Sequence, residues 1–412
     1  MNRVARLGQG LLILLLGGLL GGRILITGFA DYYVQQEKPE AAAGALRWRA
    51  GHPEALYQQA ETLLESEPAT AERLLREAVW ANPSDARVYV ALAELSAVEE
   101  GRRPAAIRLA EIADALGPIS SPVLARSADF WQAQGRLDRM LARWSLLMRT
   151  QPKVASAFYP ELLSFATDPK QQELLRPLLD HSPTWWDAFF AYAAREAQPT
   201  DIVVFLYQQR QRGDQPPSEL EQRAYLDRLW QDARWPEAYQ AWQKGLNEPQ
   251  RKALDRIYNG GFELPLTSVG FDWRIASPRG ARVETAPTYG ARGEQALHVS
   301  FDGQRVRFQH VLQYLLLEPG GYRLQGRVRP DSLRTERGLR WTVRCVAGGP
   351  VLAESERFLG SDQWRIFTVD FTVPANDCPA QVLRLELEGR AELDFEVQGG
   401  IWFDDLTVNP RS

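Results

Sequence analysis

The chain has 412 residues, 45% hydrophobic and 24% charged, enough for two or three domains with sizeable cores. Its formal net charge of -4 excludes a globally basic nucleic-acid binder. The four histidines, His52, His181, His298 and His310, are scattered, and no two have the spacing of metal ligands or of a triad.

The first predicted element is apolar. In "MNRVARLGQGLLILLLGGLLGGRILITGFADYY", Arg3 and Arg6 precede a run from Leu7 to Phe29 whose one charge is Arg23. A helix of that length extends roughly 35 Å and spans a bilayer. Arg23, in its outer third, can snorkel to the interface. Basic residues before the run, with Asp31 and Glu37 after it, place the N-terminus in the cytoplasm. The favoured reading is a cytoplasmic tail over 1–6 and an uncleaved signal anchor over 7–30. The rival is a cleaved signal peptide with Leu11–Gly22 as its apolar core and Gly28-Phe29-Ala30 as a small-x-small site. Both put the body of the chain outside the cytoplasm.

From 31 to 257 the apolar residues recur at helical spacing. "ARVYVALAEL" aligns Val88, Ala91, Leu92 and Leu95; "PAAIRLAEIADALGP" aligns Ile107, Ala110, Ile112 and Leu116. Pro53, Pro83, Pro118, Pro152 and Pro183 fall at intervals of 30, 35, 34 and 31, the spacing of a helical-hairpin solenoid in which proline stops the second helix. The stretches "AERLLREAVWANP" (71–83), "GRRPAAIRLAEIADALGP" (101–118), "GRLDRMLARWSLLMRTQP" (135–152) and "RWPEAYQAWQKGL" (234–246) resemble tetratricopeptide repeats. Ala106 and Ala238 occupy that family's small position, whereas Met140 departs from it. The resemblance implies a groove that binds a protein partner. "SPTWWDAFFAYAAR" places Trp185, Trp186, Phe189, Phe190 and Tyr192 on one helix. Either that helix is buried between neighbours, or Trp185, Trp186 and Phe189 form a stacking surface for the partner. Trp80, Trp131, Trp144, Trp230 and Trp242, at repeat seams, are expected in the core.

"IYNGGFELPLTSVGFDWRI" (257–275) ends the helical array, and from Leu297 onwards the period changes to two. Leu297, Val299 and Phe301 share a face, as do Tyr322, Leu324 and Val328; Leu339, Trp341, Val343 and Cys345; Phe367, Val369, Phe371 and Val373; and Leu383, Leu385 and Leu387. Some eight short strands separated by turn signals predict an all-β sandwich or jelly roll over 258–412. Cys345 and Cys378 are the chain's two cysteines, and the pair reads as a disulfide in an exported protein, with two buried thiols as the alternative.

"NGGFE" (259–263), "FDW" (271–273), "LEPGGYRLQGRVR" (317–329), "DQWRIFTVDFTVP" (362–374) and "IWFDDLTV" (401–408), in that order, resemble the jelly-roll carbohydrate-binding modules. The resemblance implies a structural calcium on Glu263 and Asp404, with turn capping as the alternative role for these carboxylates. It also implies sugar stacking on loop aromatics, for which Trp273, Tyr289, Tyr314 and Trp364 are the candidates. Arg323, Arg327, Arg329, Arg340 and Arg344 line the polar strand face. They either pair with Glu386, Glu388, Glu392 and Asp394 or, if uncovered, suit acidic sugars or phosphate.

The predicted architecture is an N-terminal transmembrane helix, an all-α helical-hairpin solenoid and a C-terminal all-β jelly-roll sandwich. No nucleophile–base pair, phosphate loop or carboxylates across a cleft are legible, so no enzymatic activity and no cofactor beyond the calcium are expected. The expected role is a single-pass inner-membrane protein of a Gram-negative bacterium, with its bulk in the periplasm. There it acts as an accessory in cell-surface polysaccharide assembly or export, with a protein partner and a polysaccharide as ligands. A purely structural scaffold is the alternative, and an enzyme acting on glycan at a site around Trp185, Trp186 and His181 is the less favoured one.

Overall fold

A computed structural model describes residues 3–36, 39–117, 119–346 and 348–411. Glu37 and the helix-closing Pro118 lie outside the described residues. The chain forms two compact units, 1–189 and 190–412.

The first unit is helical: α1 (Arg3–Val34), α2 (Pro39–Trp48), α3 (Pro53–Leu63), α4 (Pro68–Ala81), α5 (Ala86–Ala97), α6 (Arg103–Ala115), α7 (Ser121–Ala133), α8 (Leu137–Thr150), α9 (Tyr159–Thr167) and α10 (Arg176–Asp180). Helices α3 and α4, α5 and α6, and α7 and α8 pack as consecutive pairs. Fully buried Ala71, Ala78, Ala91 and Ala106 let the backbones approach. Pro83 and Pro152 follow α4 and α8, as the spacing predicts, but Pro53 opens α3, where its missing N–H is no loss.

Within α1, Leu14–Val34 is long and apolar enough to cross a membrane, with mean hydropathy 1.4. Its last turns are packed. Ala30 and Val34 cluster with Ala45 and Ala55, and the Phe29 ring stacks on Trp48 at 4.7 Å. His52 donates from Nε2 to Asp31 at 2.8 Å while its Nδ1 accepts the Ala55 N–H, so the residue that caps α3 also ties it to α1.

In this unit one expectation fails, and of two alternatives for the aromatic helix the structure matches burial. Trp80 is 88% exposed rather than core, although Trp131 and Trp144 are buried. Trp185, Trp186 and Phe189 are 5%, 0% and 0% exposed, and both tryptophans pack edge to face on Phe189, so they offer a partner no surface. They precede or open α11 (Trp186–Glu196), which runs across the division between units.

The second unit continues with α12 (Asp201–Arg212), α13 (Glu219–Gln231), α14 (Trp235–Lys244) and α15 (Glu248–Lys252). Among the described residues ten strands follow: β1 (Arg274–Ile275), β2 (Ala281–Ala286), β3 (Ala296–Arg305), β4 (Val311–Leu315), β5 (Gly320–Arg334), β6 (Leu339–Cys345), β7 (Val351–Glu354), β8 (Arg365–Val373), β9 (Gln381–Leu387) and β10 (Glu396–Pro410). They form two antiparallel five-stranded sheets, ordered β1-β4-β9-β6-β7 and β2-β3-β10-β5-β8. The alternation read from the sequence fills the core between them: Leu297, Val299, Leu324, Val328, Trp341, Val343, Phe367, Leu383 and Leu385 are buried in one cluster. Cys345 and Cys378 form a disulfide with Cα atoms 5.1 Å apart.

The first strands, β1 and β2, precede Leu297, where the change of period is legible, and the compact unit starts earlier still, at 190. Aromatic packing explains the difference. Tyr314 points outward from β4 and meets Trp230 at 4.9 Å and Trp235 at 5.7 Å. The Arg274 guanidinium lies 3.8 Å over the Trp230 ring. Trp242 on α14 packs against Tyr258 at 5.0 Å and Phe271 at 5.7 Å. The chain passes Trp242 at Gly270, where φ is +61° and a Cβ would lie 2.1 Å from Trp242 Cδ1. Only glycine fits there.

Gly270→Ala is therefore expected to lower unfolding stability by more than about 2 kcal/mol through overpacking and backbone strain, measured by denaturant titration against Gly280→Ala, whose nearest contact is a looser 3.1 Å. The disulfide closes a loop of 33 residues. Cys345→Ser with Cys378→Ser should cost roughly 3 kcal/mol in the same assay.

Candidate functional site

The outer face of the second sheet carries a row of side chains fixed by strand register. Glu284 on β2 stands opposite His298 on β3, His298 opposite Trp402 on β10, and Trp402 opposite Arg329 on β5. Each is out of phase with its buried neighbours: Val299, Ile401, Phe403 and Val328 point inward, so these four point outward. The His298 and Trp402 rings stack at 3.9 Å, 13° from parallel. The Arg329 guanidinium lies 5.2 Å from the Trp402 ring and 5.4 Å from that of Trp364, while Arg327 lies 4.9 Å from Trp364. Exposed Ile366 faces outward beside Arg327.

The loop at 288–290 is fastened onto this row. The Tyr289 carbonyl accepts from Trp364 Nε1 at 2.9 Å and from Arg329 Nη1 at 3.3 Å. Thr288 Oγ1 accepts from Arg329 Nη2 at 2.8 Å, and the Gly290 carbonyl accepts from Arg327 Nη2 at 2.8 Å. Gly290, at φ +79°, lets the backbone lie against Trp364, where a Cβ would approach to 2.8 Å. The result is a tightly held loop whose Tyr289 side chain is 93% exposed. Burial lowers the His298 pKa from its ordinary value, with Glu284 opposing the effect, so the ring is neutral near pH 7.

Of the four aromatics expected to stack sugar, two gather here and two do not. Tyr289 and Trp364 meet in this loop. Trp273 is fully buried between Phe262 and Trp341, and its Nε1 donates to the Asn259 carbonyl. Tyr314 is engaged by Trp230 and Trp235. His298 and Trp402 were not legible as site residues from motif position. The available signal was phase, since both alternate against residues that the core requires.

The arginines divide. Arg340 pairs with Glu354 and Glu388, and Arg344 with Glu386, as the sequence suggests. Glu392 and Asp394 instead pair with Arg305 and Arg337. Arg323 pairs with Asp370, and Arg327 lies 3.4 Å from Asp404. Of the five arginines on the predicted polar face, Arg329 is the one without a carboxylate partner among the described residues.

Glu263 and Asp404 hold one loop from two sides. Glu263 accepts the N–H groups of Glu294 and Gln295; Asp404 accepts those of Arg292 and Asp405. Burial pushes the Asp404 carboxyl up from its ordinary value. Calcium takes six to eight oxygens. Here every carboxylate oxygen already accepts a backbone N–H, Arg327 stands beside Asp404, and no set of three or more His, Cys, Asp or Glu gathers to hold a metal among the described residues. This donor set does not fit calcium; it fits the turn-capping alternative.

No protein-family model matches the chain, and no curated protein matches it. Among solved structures, a CBM4 structure is 18% identical, covering 38% of this chain and 99% of that chain at a TM-score of 0.29. The CBM22-1 xylan-binding domain from Paenibacillus barcinonensis Xyn10C is 14% identical, covering 37% and 91% at 0.26. TmCBM61 in complex with β-1,4-galactotriose is 17% identical, covering 38% and 99% at 0.26. At scores this low the likenesses carry no weight for the site, which rests on its own geometry.

The thermal midpoint of the protein is expected to be the same in excess EDTA and in millimolar calcium, because a ligand bound to the folded state alone raises it; a calcium-dependent rise in calorimetry contradicts the capping assignment.

Proposed function

We propose that this chain is a membrane-anchored, periplasm-facing scaffold whose sandwich binds glycan, acting as an accessory in cell-surface polysaccharide assembly or export. One observation carries the glycan half: a loop held by four hydrogen bonds from Trp364, Arg327 and Arg329 displays a tyrosine that is 93% exposed. An aromatic side chain left in water adds almost nothing to folding. Fixing its backbone to Trp364 and Arg329 makes sense as a preorganised stacking platform for sugar C–H faces.

The anchor half draws support from α1. Cleavage after Ala30 would remove Phe29 from Trp48 and strip Ala30 from the cluster it shares with Ala45 and Ala55. The retained helix is thus part of the folded helical unit. The disulfide suits an oxidising compartment.

A second reading, a scaffold without ligand, has its own observation: Trp273 and Tyr314, two expected sugar platforms, are consumed by packing. Affinity electrophoresis of the detergent-solubilised full chain through gels containing the host's surface polysaccharide separates the two. Retardation is expected for the native chain and is expected to fall at least tenfold in apparent affinity for Tyr289→Ala and Trp364→Ala, in keeping with about 1.4 kcal/mol or more per lost stacking contact. Equal mobility of all three favours the ligand-free scaffold. Intact-mass analysis of the membrane-extracted protein should retain residues 1–30; a mature N-terminus at Asp31 contradicts the anchor.

A further inference from the structure

We infer that the row on the second sheet selects acidic sugars, with Arg329 receiving the carboxylate of a uronate residue whose ring lies on Trp364 or Tyr289. The inference rests on the glycan-binding reading above and adds the ligand's charge class.

Its basis is the unequal treatment of the arginines. Arg323, Arg327, Arg340 and Arg344 each have a carboxylate within the protein. Among the described residues Arg329 does not; its hydrogen-bond acceptors are neutral, the Tyr289 carbonyl and Thr288 Oγ1. Guanidinium carries five N–H donors in a planar fork, so two bonds leave donors unused. The fork is held between two aromatic faces, those of Trp402 and Trp364, which fix its plane without neutralising its charge. A half-buried, oriented and ionically unpartnered guanidinium is a carboxylate receptor.

The surroundings set limits on what enters. Glu284 faces the row from β2 but is bound by Arg282 at 2.7 Å, and Asp404 is held by Arg327. Exposed Asp331, next along β5, leaves the row short of a wholly cationic field. That mixture disfavours a polyanion read by charge alone and favours one carboxylate placed beside a ring. The flanking apolar surface of Trp364, Tyr289 and Ile366 fits the C–H face of a pyranose, not the hydrated shell of free phosphate.

The test is isothermal titration of the detergent-solubilised full chain with oligomers of galacturonate, glucuronate, and mannuronate–guluronate, each beside its methyl ester, which keeps the ring and removes the charge. At least one acid oligomer is expected to bind ten- to a hundredfold tighter than its ester, the range for hydrogen bonds to a charged group, and to weaken with added salt. Arg329→Gln should abolish that preference. Thr288→Val cuts one loop tie while keeping the guanidinium, and should preserve the preference, which separates loss of charge from loosening of the loop. Equal binding of acids and esters overturns the inference while leaving glycan binding intact. Binding of no acid and no ester, in a chain with an unchanged thermal midpoint, overturns both. Binding of inorganic phosphate or glycerol 1-phosphate with no binding of any uronate overturns the acidic-sugar assignment.

Discussion

Everything in the second unit is arranged around the seating of helix tryptophans on a sheet. Trp230 and Trp235 close on Tyr314, Trp242 closes on Phe271 and Tyr258, and Arg274 lies across the Trp230 ring. Each ring pair contributes about 0.5–1.5 kcal/mol beyond its buried area, and they act together because they share Phe271 and Trp230. This contact decides which face of the sandwich is open. On the first sheet, Arg274 of β1 and Tyr314 of β4 go to helix packing, and Arg340 and Arg344 of β6 and Glu386 of β9 go to ion pairs. The second sheet keeps its outer row of His298, Trp402 and Arg329.

The NGGFE stretch is where that arrangement is locked. Asn259, at φ +50°, uses its side-chain amide to bridge both the N–H and the carbonyl of Leu264. Gly260 accepts the Leu406 N–H at 2.9 Å, and a Cβ there would lie 2.0 Å from the Leu406 carbonyl oxygen. Phe262 enters the core, and Glu263 reaches the 293–295 loop. Buried Asp272 gathers Thr267 and the Trp273 N–H, its carboxyl pushed up by burial. A motif that resembles the start of a sugar-binding module thus acts here as a clasp that fastens the segment opening the strands to β10 and to the 293–295 loop.

What the sequence disclosed follows from which forces are local. Period-two alternation is a property of each strand, so Leu297, Val299, Trp341 and Leu383 were legible as core residues before any pairing was known. Helical spacing and the terminal prolines were legible for the same reason. Tyr314 was not: it was expected among the loop aromatics, and nothing in a linear pattern places it on β4 or says that Trp230 waits there. Trp80 failed in the opposite sense, as an apolar residue at a predicted seam that the fold leaves in water. The site was half legible. Tyr289 and Trp364 stood out as loop aromatics, whereas the row joining them to His298 depends on register between β3, β10 and β5, strands far apart in the chain.

The most direct measurement of the helix–sheet contact is native-state hydrogen exchange, followed by mass spectrometry on the full chain across a denaturant series. If the tryptophans bind helices and sheet into one cooperative body, peptides covering 219–244, 257–275 and 311–315 will lose protection in a single step with a common denaturant dependence. Helical peptides from 219–244 that exchange at lower denaturant, while 311–315 stays protected, would show that the sandwich stands without its helices and would contradict the account.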